Sequence, residues 1–262
     1  MDDTMVLESA NGRLQISVDL IRGGRVSSIL FGGHELLVAR RDDPIAWGCF
    51  PMVPFAGRIR RGVLDFEGTV VTLPQNLGPH AIHGFGLTAP WTSVSDNSIR
   101  YEFSEPWPFS GAATQSFVVD DNHLHLQMTV EAGDRQPVSL GWHPWFRRDI
   151  GAGSEAELIF DAKVMYERDD DGMPSSRRVA PSPRPWDDCF TELAQGPQLR
   201  WGTVEVGLAS SADHWVVYDE PSHALCVEPQ TGPPNDVNDD PQVLDEGESR
   251  TIDFALTFRD GA

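Results

Sequence analysis

The chain has 262 residues, with 40 acidic against 20 basic side chains, a formal net charge of -20 and a sequence pI of about 4.6. That balance argues against a nucleic-acid partner, which needs a basic footprint, and its field disfavours a polyanionic substrate. The length can bury a large core, and all-β folds of this size are commonly single domains, so residues 1–262 are expected to form one.

Three cysteines, Cys49, Cys189 and Cys226, are too few and too far apart for a disulfide framework or a zinc ribbon. A reducing compartment is the simpler reading. The start Met1-Asp2-Asp3-Thr4 carries acids where a signal peptide carries bases. No apolar run approaches the length of a membrane span. The expectation is a cytoplasmic protein with no membrane contact.

Alternation of apolar and polar residues, the mark of half-buried strands, recurs along the chain, and helical periodicity is nearly absent. Leu14, Ile16, Val18 and Leu20 define a first strand. Val26 and Ile29 lie between the glycine pairs Gly23-Gly24 and Gly32-Gly33, a strand between two turns. Thr69 to Leu73 is a short β-rich run. Thr114 to Val130 reads as a hairpin turning at Asp120-Asp121-Asn122, with Leu124, Leu126, Met128 and Val130 on one face. Further strands are predicted at 156–160, 203–208, 215–218, 225–228 and 250–258. With 24 glycines and 20 prolines punctuating these runs, the architecture that fits is all-β, a large antiparallel β-sandwich. Arg168 to Arg184 and Pro229 to Pro241 read as long loops, either binding loops or plain connections.

Four stretches carry residue types suited to chemistry. In Gly141-Trp142-His143-Pro144-Trp145-Phe146 a histidine sits between two tryptophans. Pro144 pushes its predecessor out of helical geometry, so His143 is expected on a rigid extended segment. Such a histidine serves either as a hydrogen-bonded structural residue or as an acid or base. Arg58 follows Pro-Phe-Ala-Gly and suits recognition of oxygens if it points inward, whereas Arg60 and Arg61 read as a solvated turn. His80-Ala81-Ile82-His83-Gly84-Phe85-Gly86 lacks the nearby cysteines or carboxylates of a metal site, and its glycines would let a backbone approach a ligand. Glu228 ends an apolar strand, where a carboxylate is costly unless it is paired or functional. His123 and His125 share a strand face but lack the glycine and glutamate of a cupin metal site, so both are read as a polar face. The acidic run Glu167 to Gly172 lacks the closing glutamate of a calcium loop, since Arg178 holds that place.

Taken in order, these segments resemble the aldose 1-epimerase (galactose mutarotase-like) family. Pro54-Phe55-Ala56-Gly57-Arg58-Ile59, His83-Gly84, Gly141 to Phe146, Asp187-Asp188-Cys189-Phe190 and Val227 to Gly232 are each similar to a family segment. The resemblance implies a supersandwich fold and interconversion of α and β anomers of a free aldose. It implies Glu228 as general base at the anomeric hydroxyl and His143 as general acid at the ring oxygen. The two would act from opposite sides of an aromatic-walled cleft. Arg58, His83, Asp187 and Gln230 would bind the sugar, with Asp187 preferred to Asp188 because it lies three before Phe190. No metal and no other cofactor is implied, because only protons move. The expected partner is a small-molecule sugar, bound by a monomer or homodimer. Gly57 and Phe55 replace a family asparagine and tyrosine, which predicts thinner polar contacts on one side of the site. The rival readings are a hexose-6-phosphate 1-epimerase, which would need Arg60, Arg61, Arg177 or Arg178 near the sugar's C6, and a non-catalytic sugar-binding or sensor protein.

Overall fold

The computed structural model describes residues 3–261, so Met1-Asp2 of the acidic start lies outside it. Two large antiparallel sheets, of eleven and eight strands, dominate the fold. One hydrophobic cluster joins them and runs from Leu14 to Phe258. The strand Leu14–Asp19 buries Leu14, Ile16 and Val18 completely, as its alternation predicts. The hairpin Gly111–Asp120 and His123–Ala132 turns at Asp121-Asn122, and the long strand Ser249–Asp260 pairs with its second arm. His123 and His125 lie on its polar face, against Thr257 and Asp253. Among the described residues no helix is long and apolar enough to cross a membrane.

Two loop predictions are corrected. The stretch 168–184 contains a strand, Pro174–Val179, which pairs with Ala162–Arg168 at the sheet's edge. An edge strand tolerates the prolines and charges that hide it in the sequence. The stretch 229–241 contains a single turn of α-helix, Asp236–Asp239.

The centre of the eleven-stranded sheet positions the site. Its consecutive strands include Cys49–Met52, Gly141–Arg147, Ala224–Gln230, His214–Tyr218 and Asp187–Leu193. Gly141–Arg147 is buried along nearly its whole length because both of its faces are covered. Trp142 and Phe146 point into the core between the sheets, and the Trp142 indole donates to Gln115 Oε1 at 3.0 Å. His143 and Trp145, one residue out of phase, point to the opposite face.

Candidate active site

Register brings the two candidate acid–base residues together. Gly141 pairs with Gln230 and Trp145 with Cys226, which sets His143 opposite Glu228 across the ladder. Phe50 lies opposite His143 on one flank, and Val216 opposite Glu228 on the other. Directly opposed side chains on one sheet face are close enough to touch. His143 Nε2 is 3.2 Å from Glu228 Oε1, with the two side chains 6% and 2% exposed. The pair therefore sits side by side, and the expectation of an acid and a base on opposite walls is corrected.

The pair lies at the base of a cleft of about 300 Å³, within the range of small-ligand pockets and at its lower end. Phe50 and Trp145 both stack on the His143 ring, at 4.7 Å and 5.4 Å between centroids, and the His83 ring meets it edge-on at 4.9 Å. Trp145 is thus the tryptophan that lines the cleft, and Trp142 fills the core. Gln230, on the same face as Glu228, donates from Nε2 to Glu228 Oε2 at 3.2 Å. On the wall, Arg58 donates to Asp187 Oδ2 at 2.8 Å. Asp187 faces the cleft, while Asp188 lies buried behind it and is held by Arg168 at 2.8 Å.

Irregular backbone presents Arg58 and His83. Their segments pair as a short two-stranded ladder, Arg58 opposite Ile82, and the His83 amide donates to Gly57 O at 2.9 Å. His83 has a positive φ of 63° and Gly84 one of 73°. A Cβ on Gly84 would stand 2.1 Å from Val53 O. The glycine thus admits the Val53-Pro54 main chain, and not a ligand as the sequence suggested. His80 is structural: its ring accepts from the Arg61 amide at 3.1 Å and meets Asp171 O at 3.2 Å. Gly57 has φ +66°, and a Cβ there would meet Pro234 within 3.0 Å. Phe55 is fully buried in a separate cluster with Ile59 and Leu64. The expectation that Phe55 thins the site's contacts is therefore corrected, since the ring packs away from the cleft.

Burial sets the protonation of the pair. It pushes the Glu228 carboxyl well above the usual carboxylate range, with Asp187 adding to the rise and Arg58 opposing it. Burial, with Arg25 and Arg58 adding to the fall, lowers the His143 imidazole to about 3. His83 is likewise held well below the usual histidine value by burial, then by His143 and Arg58. Burial thus favours a protonated carboxyl beside a neutral imidazole. Several buried polar atoms around it have no protein partner: Nδ1 of His83 and of His143, Nε1 of Trp145 and Oε1 of Gln230. Buried polar groups left unpaired cost free energy, so these atoms mark where a polar ligand would be held.

His83, His143 and Glu228 can bring one ligand atom each within 4.8 Å of one another. A ligating histidine usually donates its other ring nitrogen to an acceptor. Neither imidazole's Nδ1 has one, and the donor set suits proton transfer better than a metal.

Sequence reasoning missed three contributors. Phe50 gave no signal in a four-residue strand buried on both faces. Tyr218, opposite both Asp187 and Cys226, lines the cleft at the end of a strand that was predicted but given no role. Arg25 lies behind Phe50 and is 1% exposed. The arginines proposed for a C6 phosphate are neutralised: Arg60 and Arg61 bind Asp169 and Asp171, and Arg177 binds Glu167. Arg178 stacks over Tyr166.

Known proteins agree with this architecture. The aldose 1-epimerase family profile matches residues 5–257. A galactose mutarotase-like protein from Clostridium acetobutylicum superposes with a TM-score of 0.83 at 17% identity, covering 99% of each chain. The galactose 1-epimerase of Lactobacillus acidophilus superposes with a TM-score of 0.78 at 16% identity, over 98% of this chain and 94% of that one. YphB of Escherichia coli, an uncharacterized protein, is 27% identical over 146 residues, 52% of this chain. The chain spans about half the length of that curated relative, 50%. The chain belongs to the aldose 1-epimerase family.

Proposed function

We propose that this protein is an aldose 1-epimerase that equilibrates the anomers of an aldose through the His143–Glu228 pair. The observation that carries the reading is their 3.2 Å contact at the base of a monosaccharide-sized cleft. Transfer of the resting proton across that contact gives a carboxylate beside an imidazolium. Glu228 then accepts the proton of the anomeric hydroxyl while the C1–O5 bond breaks. His143 gives its proton to the ring oxygen, and the open aldehyde forms. Rotation about C1–C2 and the reverse transfers close the ring with the opposite configuration. The proton count is the same at the start and the end, so no further reactant is consumed.

The remaining groups suit this chemistry. Arg58 favours the carboxylate form of Glu228, and Gln230 holds one of its oxygens. His83, neutral and edge-on to His143, can share the ring oxygen. Arg58 and Asp187 offer a donor and an acceptor to ring hydroxyls, and Trp145 offers an apolar face. Each acid or base typically contributes roughly 10²–10⁴-fold, which is ample for a reaction that already proceeds in water. A pure binding module would gain nothing from placing an acid and a base in contact.

Polarimetry of α-D-glucose and α-D-galactose tests the proposal. Purified protein should shorten the approach to equilibrium in proportion to its concentration. If neither sugar, nor any other aldose in a panel, equilibrates faster than in buffer, the activity is absent.

A further inference from the structure

The acidic run Glu167 to Gly172 leads into the turn of a hairpin, between the strands Ala162–Arg168 and Pro174–Val179. The turn is closed on itself. The Gly172 amide donates to Asp169 O at 2.9 Å, and Asp169 Oδ1 accepts from the amides of Asp171 and Met173 at 2.9 and 3.0 Å. Met173 is fully buried and anchors the turn. The remaining carboxylate oxygens reach across to the segment that follows Arg58. Asp169 Oδ2 lies 2.7 Å from Arg60, and Asp171 Oδ2 lies 3.3 Å from Arg60 and 3.6 Å from Arg61. Asp171 O meets the His80 ring at 3.2 Å, and the other nitrogen of that ring accepts from the Arg61 amide at 3.1 Å. Arg61 has a φ of 53°, a backbone disfavoured for a residue with a Cβ, and this tie holds it there.

The base of the hairpin grips the other side of the same wall. Arg168 Nε lies 2.8 Å from Asp188 Oδ1, and its Nη1 lies 3.6 Å from Asp187 Oδ2. Arg58 reaches that same Asp187 oxygen at 2.8 Å. A ring of contacts therefore closes, from Arg58 to Asp187, to Arg168, along the turn to Asp169, and through Arg60 back to Arg58. Four guanidinium groups and four carboxylates take part, so the ring is balanced within a chain of net charge -20. Of its members, Arg58 and Asp187 line the cleft.

We propose that this turn is a strap for the sugar-binding wall, and that Arg60, Arg168, Asp169 and Asp171 are positioning residues that fix Arg58 and Asp187 relative to the His143–Glu228 pair. This rests on the epimerase reading and on Arg58 and Asp187 as its sugar contacts. The wall needs such a tie because Arg58 stands on a ladder of only two residue pairs, Arg58 with Ile82 and Ile59 with Ala81, too short to be rigid by itself. Both arginines approach Oδ2 of Asp187, which leaves Oδ1 to accept from a sugar hydroxyl. A single exposed ion pair contributes little, but here several act on one segment. Such pairs are screened by salt. A neutral sugar carries no charge, so ionic strength acts on its affinity through the charges of the protein.

The test uses the full chain with D-glucose and D-galactose. Asp169→Asn/Asp171→Asn removes the charges and keeps the amide oxygens that can close the turn. Arg60→Gln breaks the same ties from the other side, and Arg60→Lys keeps the cation. Calorimetry reads Kd, polarimetry reads kcat and KM, and hydrogen exchange reads the protection of residues 57–62 and 80–84 without ligand. The two charge-removing variants should raise Kd and KM about three- to tenfold, leave kcat unchanged and speed exchange in both segments. Arg60→Lys should recover part of the loss, and combining the asparagine pair with Arg60→Gln should add little. Added salt should weaken sugar binding by the wild type and not by the asparagine variant. Unchanged affinity or unchanged exchange in both charge-removing variants overturns the strap, as does a salt response that is the same in wild type and variant. A fall in kcat with KM unchanged also overturns it, since the turn would then act on the chemistry. Failure of the epimerase reading is distinct: no aldose equilibrates faster than in buffer, while Kd and exchange still decide the strap.

Discussion

His143 Nε2 and Glu228 Oε1 are 3.2 Å apart in a place almost closed to water, where burial raises the carboxyl and lowers the imidazole. A carboxyl whose protonated form is favoured and an imidazole whose neutral form is favoured make one acid and one base in contact. Glu228→Gln and His143→Asn each remove one role while preserving shape, and each should lower kcat by roughly 10²–10⁴-fold with far smaller changes in KM. The double variant should lose little more than the worse single one, because groups that act as a unit are not additive. Stopped-flow polarimetry of the three variants measures this, and full activity in both single variants would reject the mechanism.

The same arrangement fixes the pH profile. An ordinary histidine would place an inflection near 6.5, but burial holds His143 at about 3 and Glu228 above its usual range. Between those limits the pair keeps its single proton. The rate should therefore be flat above the His143 value of about 3 and up to the raised Glu228 value, falling on the acid side when the pair gains a second proton and on the alkaline side when it loses its only one. A single-histidine inflection near 6.5 in kcat/KM would show that His143 titrates freely.

Stability should carry the signature of Glu228 with a definite sign. Its folded pKa is raised, so above the unfolded value near 4.5 the native state binds more protons than the unfolded one. Stability is then lost as pH rises, with a slope approaching about 1.4 kcal/mol per pH unit until the buried carboxyl itself ionises. Glu228→Gln removes that slope. Urea midpoints should coincide near pH 4.5 and diverge above it, the variant becoming the more stable protein at pH 8. His143 acts in the opposite sense: its folded pKa is lowered, so the neutral burial it requires is opposed as pH falls from about 6.5 to 3.

Much of the fold was legible because burial on one face leaves an alternating trace. Leu14, Ile16 and Val18 fall fully inside, as does the 124–130 series. The stretches that failed are those where neither face, or both faces, meet water. Cys49–Met52 is short and buried on both sides, so it shows no alternation. Pro174–Val179 is an edge strand, rich in polar residues. The candidate site residues could be picked out from local motifs, but their contact could not. His143 meets Glu228 only because two distant segments pair in one register, and a slip of one residue would send either side chain to the other face. Arg25 was invisible for a different reason: composition rules send arginines to the surface.

Gly57 explains a departure from the family pattern. Its φ is +66°, and a Cβ would stand 2.9 Å from Pro234 Cγ and 3.0 Å from Pro234 Cα. The family's asparagine tolerates left-handed backbone, but here its Cβ would press on the loop carrying Pro234. Gly57→Asn should destabilise the fold by about 1–3 kcal/mol. It should also raise KM more than it lowers kcat, because Arg58 is the next residue and the acid–base pair is untouched. A chemical melt and initial rates on one preparation decide this. Unchanged stability together with a lower KM would mean that Pro234 yields and the asparagine contributes a sugar contact.

Arg25 supports the site from behind. Its guanidinium donates to four main-chain oxygens, those of Arg22, Pro44, Trp47 and Leu87, at 2.7 to 3.0 Å. It also lies 4.0 Å over Trp47 and 5.2 Å from Phe50, the ring stacked on His143. Burial lowers its pKa to about 10, so it remains a cation at neutral pH, surrounded by carbonyl dipoles and aromatic faces. Those carbonyls belong to segments that include Ile45 and Ala46 of the cleft wall. Arg25→Met fills the space but leaves buried carbonyls without donors, at about 1–3 kcal/mol each where water cannot enter. The variant should lose about 3 kcal/mol or more of stability, and Arg25→Lys should recover only part, since an ammonium lacks the fork that spans separate loops. Below its unfolding transition, Arg25→Met should show a raised KM from a loosened 44–47 wall. The test is urea unfolding with polarimetric kinetics on the same samples. A methionine variant as stable as wild type would mean that water reaches these carbonyls, and the tie between Arg25 and the cleft would then be lost.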